Sequence, residues 1–185
     1  MTPSKPGMRG AVLFEIAVLV GLGAASRLFP HLPNMTAIGA VALRARSRFG
    51  IPGLGIPIIS MLASDLFIGF YNWRLLLTVY ASFALIGMLG ALIPQNTSIR
   101  RIGAVSVLGS TLFFLITNTA VWALSAWYPH TAQGLLMCYV AGLPFFYPML
   151  AGDIVFSCML FRLSARVSMP RWTQNEELAL MRSHF

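Results

Sequence analysis

Between Gly10 and Phe161 the chain is a succession of long apolar runs, each ended by arginine, by proline or by a polar loop. A helix needs about 20 apolar residues to cross the ~30 Å hydrocarbon core of a bilayer. Lipid offers the backbone no hydrogen-bond partners, so such runs must become helices that satisfy their own peptide groups. Composition agrees, with 57% of residues hydrophobic and 10% charged, whereas a soluble domain carries about 25% charged residues. A water-soluble enzyme is therefore excluded. The expectation is an all-α integral membrane bundle of six transmembrane helices, forming one domain.

The first run, Gly10–Leu28, contains Glu15 and ends at Arg27. With Lys5 and Arg9 ahead of it, the run also fits a signal peptide ending near Gly23-Ala24-Ala25, but a glutamate within the apolar stretch favours a retained helix. Met35–Leu43 is short and stops at Arg44, Arg46 and Arg48, which makes it a short or tilted second span. Ile51–Phe70 is the third, with Pro52 and Pro57 in its first turns where proline costs least. Leu75–Ile93 and Ile102–Tyr128 are the fourth and fifth. The last stretch, Leu135–Phe161, holds Gly142, Pro144 and Pro148, and is read as a re-entrant piece followed by a sixth span from about Pro148.

Orientation follows from the basic residues. Of the 13 Lys and Arg, only Arg27 and Arg74 fall on the side opposite the N-terminus. The positive-inside rule then places both termini in the cytoplasm. Residues 1–9 become an N-terminal tail, 10–162 the transmembrane domain, and 163–185 a basic tail. In that tail Thr173 to Glu176 has capping-box spacing for a short helix, and Trp172 suits the headgroup region. The net charge of +8 thus reports topology, and no nucleic-acid partner is expected.

Several chemistries are absent from the pattern. No GxxxxGK[ST] loop is present, so any ATP-driven step needs a partner protein. Cys138 and Cys158 match no metal spacing and read as small hydrophobes. His31 and His130 lie in outer loops, and no Ser/His/Asp or HExxH arrangement occurs, so neither enzyme activity, cofactor nor metal is expected.

Polar residues inside the bilayer are costly and each needs a reason. Asp65 lies ~21 Å up the third run and Asn118 ~24 Å up the fifth, while Asp153, taken from Pro148, lies ~7 Å below the outer surface. Together with Asn34 and Trp122 these form an outer polar cluster suited to a solute pocket. Met61, Asp65 and Asn72 share one face, as do Thr111, Leu115, Asn118 and Trp122. Structural readings stand beside this one: Asp65 and Asp153 pairing with Arg27 and Arg74, Asn118 bonding between helices, and Trp122 joining an aromatic belt. Glu15 is in reach of Arg44 or Arg46 and reads as structural. Ala17, Gly21 and Ala25, four apart, make a small-residue face that either packs inside the bundle or docks a partner.

Pro33-Asn34-Met35-Thr36-Ala37-Ile38-Gly39-Ala40, Ser64-Asp65-Leu66, Thr117-Asn118 with Trp122, Tyr128-Pro129, and Leu143-Pro144-Phe145-Phe146 with Gly152-Asp153 resemble a bacterial family of small integral membrane proteins. That family is in turn similar to the substrate-binding S-components of energy-coupling-factor (ECF) vitamin transporters. The resemblance implies six helices, cytoplasmic termini and residence in the bacterial inner membrane. It also implies an outward pocket for a vitamin such as cobalamin or a related solute, framed by Asn34, Asp65, Asn118 and Asp153. Ala17, Gly21 and Ala25 would dock a membrane coupling subunit that carries ATPases. The alternative is a non-catalytic assembly subunit of a larger membrane complex.

Overall fold

The computed structural model describes residues 6–30, 32–94 and 97–166, with side chains over 10–30, 32–94 and 97–163. Trp172, the Thr173–Glu176 capping box and His31 lie outside the described residues. The described chain is helical throughout: α1 (Pro6–Leu28), α2 (Ile38–Phe49), α3 (Gly55–Ile68), α4 (Trp73–Leu89), α5 (Ile99–Leu124) and α6 (Ala132–Arg166). One 3-10 turn, Ile51–Leu54, leads into α3 and another, Gly90–Leu92, extends α4. Five of these helical stretches are long and apolar enough to cross a membrane, and α2 is the exception.

The reason α2 differs lies in where it sits. It has 12 residues and carries Arg44, Arg46 and Arg48, too short and too charged to face lipid. It faces none: it packs against all five other α-helices, and Ile38, Ala40, Val41, Ala42 and Ala45 are fully buried. Its small residues make that close wrapping feasible. At Gly90 the chain passes so near α2 that a Cβ there would strike the Leu43 carbonyl.

Contacts fix the direction of every helix. The Ala37 amide donates to Ser26 Oγ at 2.9 Å, while Arg44 and Arg48 each meet Glu15 at 3.0 Å, so α2 runs antiparallel to α1. α3 returns beside α1, with Arg27 reaching Ser64 and Asp65. α4 runs back, from Tyr80 at Asp65 to Ile93, whose carbonyl accepts from Ser47 Oγ at 2.6 Å. α5 turns again, stacking Phe113 on Phe83 at 4.7 Å. α6 descends past it from Tyr139, 2.7 Å from Thr119 Oγ1, to Phe161 under Arg44. One end of the bundle is thus marked by Arg27 and the other by Glu15.

Three expectations are corrected. The stretch read as a re-entrant piece plus a sixth span is one 35-residue helix, with Pro144 and Pro148 inside it. Proline removes single backbone bonds, and a helix held along its length by a neighbour tolerates the gaps. α1 begins at Pro6, and its membrane-length apolar stretch runs from Gly10 to Leu28. α3 ends at Ile68, and Asn72 therefore shares no face with Asp65. It caps α4, its Oδ1 accepting from the amides of Arg74 (3.0 Å) and Leu75 (3.4 Å). Finally, the partner of Glu15 besides Arg44 is Arg48, not Arg46, because residues four apart share a helix face.

Candidate functional site

At the Arg27 end the helices part around a cavity of about 330 Å3. Its walls are aromatic, with Phe83 from α4, Phe113 and Phe114 from α5, and Phe145 and Phe146 from α6. Phe114 stacks on Phe146 at 4.9 Å, so the two longest helices hold one another through the wall itself. Polar atoms enter at a few points: Asn34 and Thr36 from the α1–α2 connection, Thr117 and Asn118 from α5, Asp153 from α6, and Arg27 from α1. A mostly apolar cavity with a few convergent polar groups is the usual form of a small-molecule site.

Asp153 sits deepest. Its Oδ2 accepts from Ser110 Oγ at 2.7 Å, and the side chain is 3% exposed. Ser110 lies eight residues below Asn118 on α5, about 12 Å at ~1.5 Å per residue. The expectation that Asp153 shares a depth with Asp65 and Asn118 is thus corrected, because α6 begins 21 residues before Asp153 and not at Pro148. The carboxylate lies against Gly39 of α2, where a Cβ would come within 2.8 Å of its Cγ. Only glycine leaves room for it. Among the described residues no cation pairs with Asp153.

Asp65 has a different situation. It is 1% exposed, pairs with Arg27 Nη2 at 2.6 Å and accepts from the Tyr80 hydroxyl at 2.6 Å. Arg27 also donates to the Met61 carbonyl at 3.1 Å. The carboxylate therefore joins α1, α3 and α4 and does not line the cavity; the structural pairing with Arg27 is the one found. Arg74 meets neither aspartate and lies over the Trp73 ring at 5.4 Å. In the turn between α3 and α4, the Tyr71 phenol is raised above its ordinary value by burial, and further by the Asp65 carboxylate.

Asn118 lines the cavity, its Nδ2 donating to the Phe114 carbonyl one turn below at 2.8 Å. Asn34 stands at the exposed rim with a left-handed backbone, φ 61°. Asparagine tolerates that region better than most residues. Trp122 lies away from the cavity: its Nε1 donates to the Pro129 carbonyl at 2.9 Å and its ring meets His130 edge-on, so it pins the α5–α6 connection. On α1, Ala17 and Gly21 are exposed and Ala25 is half-buried. The small-residue face thus points away from the bundle, which packs on α1 through Leu19 and Gly23 instead.

Sequence reasoning missed Ser110, Tyr80 and the phenylalanines of α4 and α5. Ser106 and Ser110, buried and four apart on α5, were a legible signal of a polar seam. The Phe113-Phe114 and Phe145-Phe146 pairs were another.

Helices of this length and apolarity, wrapped on a buried short helix and enclosing a cavity, define a multi-pass membrane protein. The chain belongs to the DUF6580 family, a family of unknown function whose model matches residues 9–174. No curated protein and no solved structure matches it.

Proposed function

We propose that the protein is a membrane-embedded substrate-binding subunit for uptake of a small micronutrient, with an outward-facing pocket. The observation that carries this reading is the 330 Å3 cavity with a buried carboxylate at its floor. A protein that only scaffolds neighbours needs no such cavity, and a buried acid there, held by a single hydroxyl, would cost stability for nothing.

In this reading the chain crosses the membrane six times, with α2 as a shielded second crossing and both termini cytoplasmic. The Arg27 end, poor in Lys and Arg, then faces outward. The arrangement is like that of an ECF S-component in the bacterial inner membrane. Phenylalanine rings hold the body of the solute, Asp153 and Asn118 its polar groups, and Asn34 the rim. The cavity lies at the lower end of the usual ~300–1,000 Å3 range, which favours a compact solute over one as large as cobalamin. Movement would come from rocking of the bundle on a coupling subunit with ATPases, and the bare Ala17 and Gly21 on α1 offer such a subunit a close approach.

Native mass spectrometry of protein gently extracted from its own membrane tests the proposal. A small molecule retained by the wild type and lost in N118A and D153N supports it. A stable assembly with other subunits, and wild-type function in both variants, would replace it with the assembly-subunit reading.

A further inference from the structure

The walls and floor of the cavity carry a charge preference. Arg27 is the only cation among its described lining residues, and that charge is already matched by Asp65 at 2.6 Å. The Arg27 donors also engage Ser64 and the Met61 carbonyl. Among the described residues Asp153 is met by the Ser110 hydroxyl and by no cation. Once a cationic occupant is there to hold it ionised, Asp153 therefore offers one negative charge at the floor, 3% exposed, that no other described lining residue opposes.

The walls point the same way. Ring faces carry negative electrostatic potential and attract ammonium and guanidinium groups, more so where water is excluded. Phe83, Phe113, Phe114, Phe145 and Phe146 all line the space above Asp153. An anionic solute would meet the Asp153 carboxylate in a medium that screens poorly. A bare metal ion finds no ligand set, since no group of three His, Cys, Asp or Glu stands together among the described residues.

We propose that the occupant of the cavity is a small organic cation, an ammonium or amidinium joined to an apolar body, with Asp153 as its counter-charge. This rests on reading the cavity as a solute site. The cation sits against the Asp153 carboxylate, Ser110 holds that carboxylate in place, and the apolar body lies among the phenylalanines. Asn118, about 12 Å nearer the rim on α5, is left for a second polar group at the far end of the solute.

Three probes of matched size separate charge from shape: 2-phenylethylamine, 2-phenylethanol and phenylacetate. Each is titrated by calorimetry at pH 7 into the full-length protein in lipid nanodiscs, with empty nanodiscs subtracted. The amine is expected to bind at least tenfold more tightly than the other two. D153N should lower amine affinity to that of the alcohol, with a wild-type far-UV circular dichroism spectrum showing that the variant is folded. S110A, which keeps the charge, should retain the amine preference. The proposal is overturned if the alcohol or the acid binds as well as the amine, or if D153N keeps the preference. Should D153N fail to fold, the wild-type ranking decides alone. If the probes bind without preference for the cation, the solute pocket survives and only its charge class falls. If none of the three binds, both readings fall.

Discussion

Asp65 is the residue at which a binding role and a structural role make opposite predictions. Its carboxylate is 1% exposed and meets Arg27 Nη2 and the Tyr80 hydroxyl, both at 2.6 Å. Charge centres in such a pair lie ~4 Å apart, an attraction of about 4 kcal/mol at an effective dielectric near 20. Removing one member also strands the other. D65L should therefore cost about 3–5 kcal/mol, and R27M about as much. The double variant R27M/D65L removes both charges and fills the space with apolar atoms, so it should cost far less than the sum of the two, within about 1–2 kcal/mol of wild type. Y80F leaves one carboxylate oxygen without its donor, a loss of about 1–3 kcal/mol. The assay is unfolding by SDS in mixed micelles, followed by far-UV circular dichroism, read as a double-mutant cycle. A coupling energy of about 4 kcal/mol or more establishes the pair as the latch joining α1, α3 and α4. Additive single effects, or a D65L cost under about 1 kcal/mol, would refute that account.

The other expectations are narrower. E15Q removes the one carboxylate between Arg44 and Arg48, leaving two guanidiniums with side chains at 6% and 2% exposure; the same SDS titration should show a loss of about 3–5 kcal/mol. G21L adds a side chain where nothing lies within 4 Å and exchanges glycine for a better helix former. The isolated protein should hold its stability, while native mass spectrometry should show loss of any wild-type assembly; an assembly that survives would move the docking face off α1. Tyr71 should stay protonated above the ordinary tyrosine value of 10.0. A raised pKa means the fold favours the neutral phenol, so this contribution is complete below that value and is lost as pH rises through the folded-state pKa. The difference in absorbance at 295 nm between wild type and Y71F measures it, and a tyrosinate appearing below pH 10 would contradict it.

How far the sequence could be read depended on whether a signal was local. Helix-forming runs are local, and the spans at Gly10–Leu28, Leu75–Ile93 and within Ile51–Phe70 coincide with helices to within a few residues. The Glu15–Arg44 pair was also within reach, because an intramembrane charge demands an opposite charge at its own height. What failed was counting height from the wrong end. Two prolines suggested a break in the last stretch, and proline propensity belongs to an isolated helix; packed along α5, the helix continues. That single misreading moved Asp153 from the floor to the rim. It also hid the partition between the two aspartates, which no pattern in the chain announces. Asp65 and Asp153 look alike in sequence, each after a small residue and ahead of an apolar one. Only the fold brings Arg27 and Tyr80 to one and Gly39 and Ser110 to the other. One carboxylate is thereby neutralised as part of the frame, and the other is left facing a cavity. A helix bundle that needed two latches would have given Asp153 a cation as well.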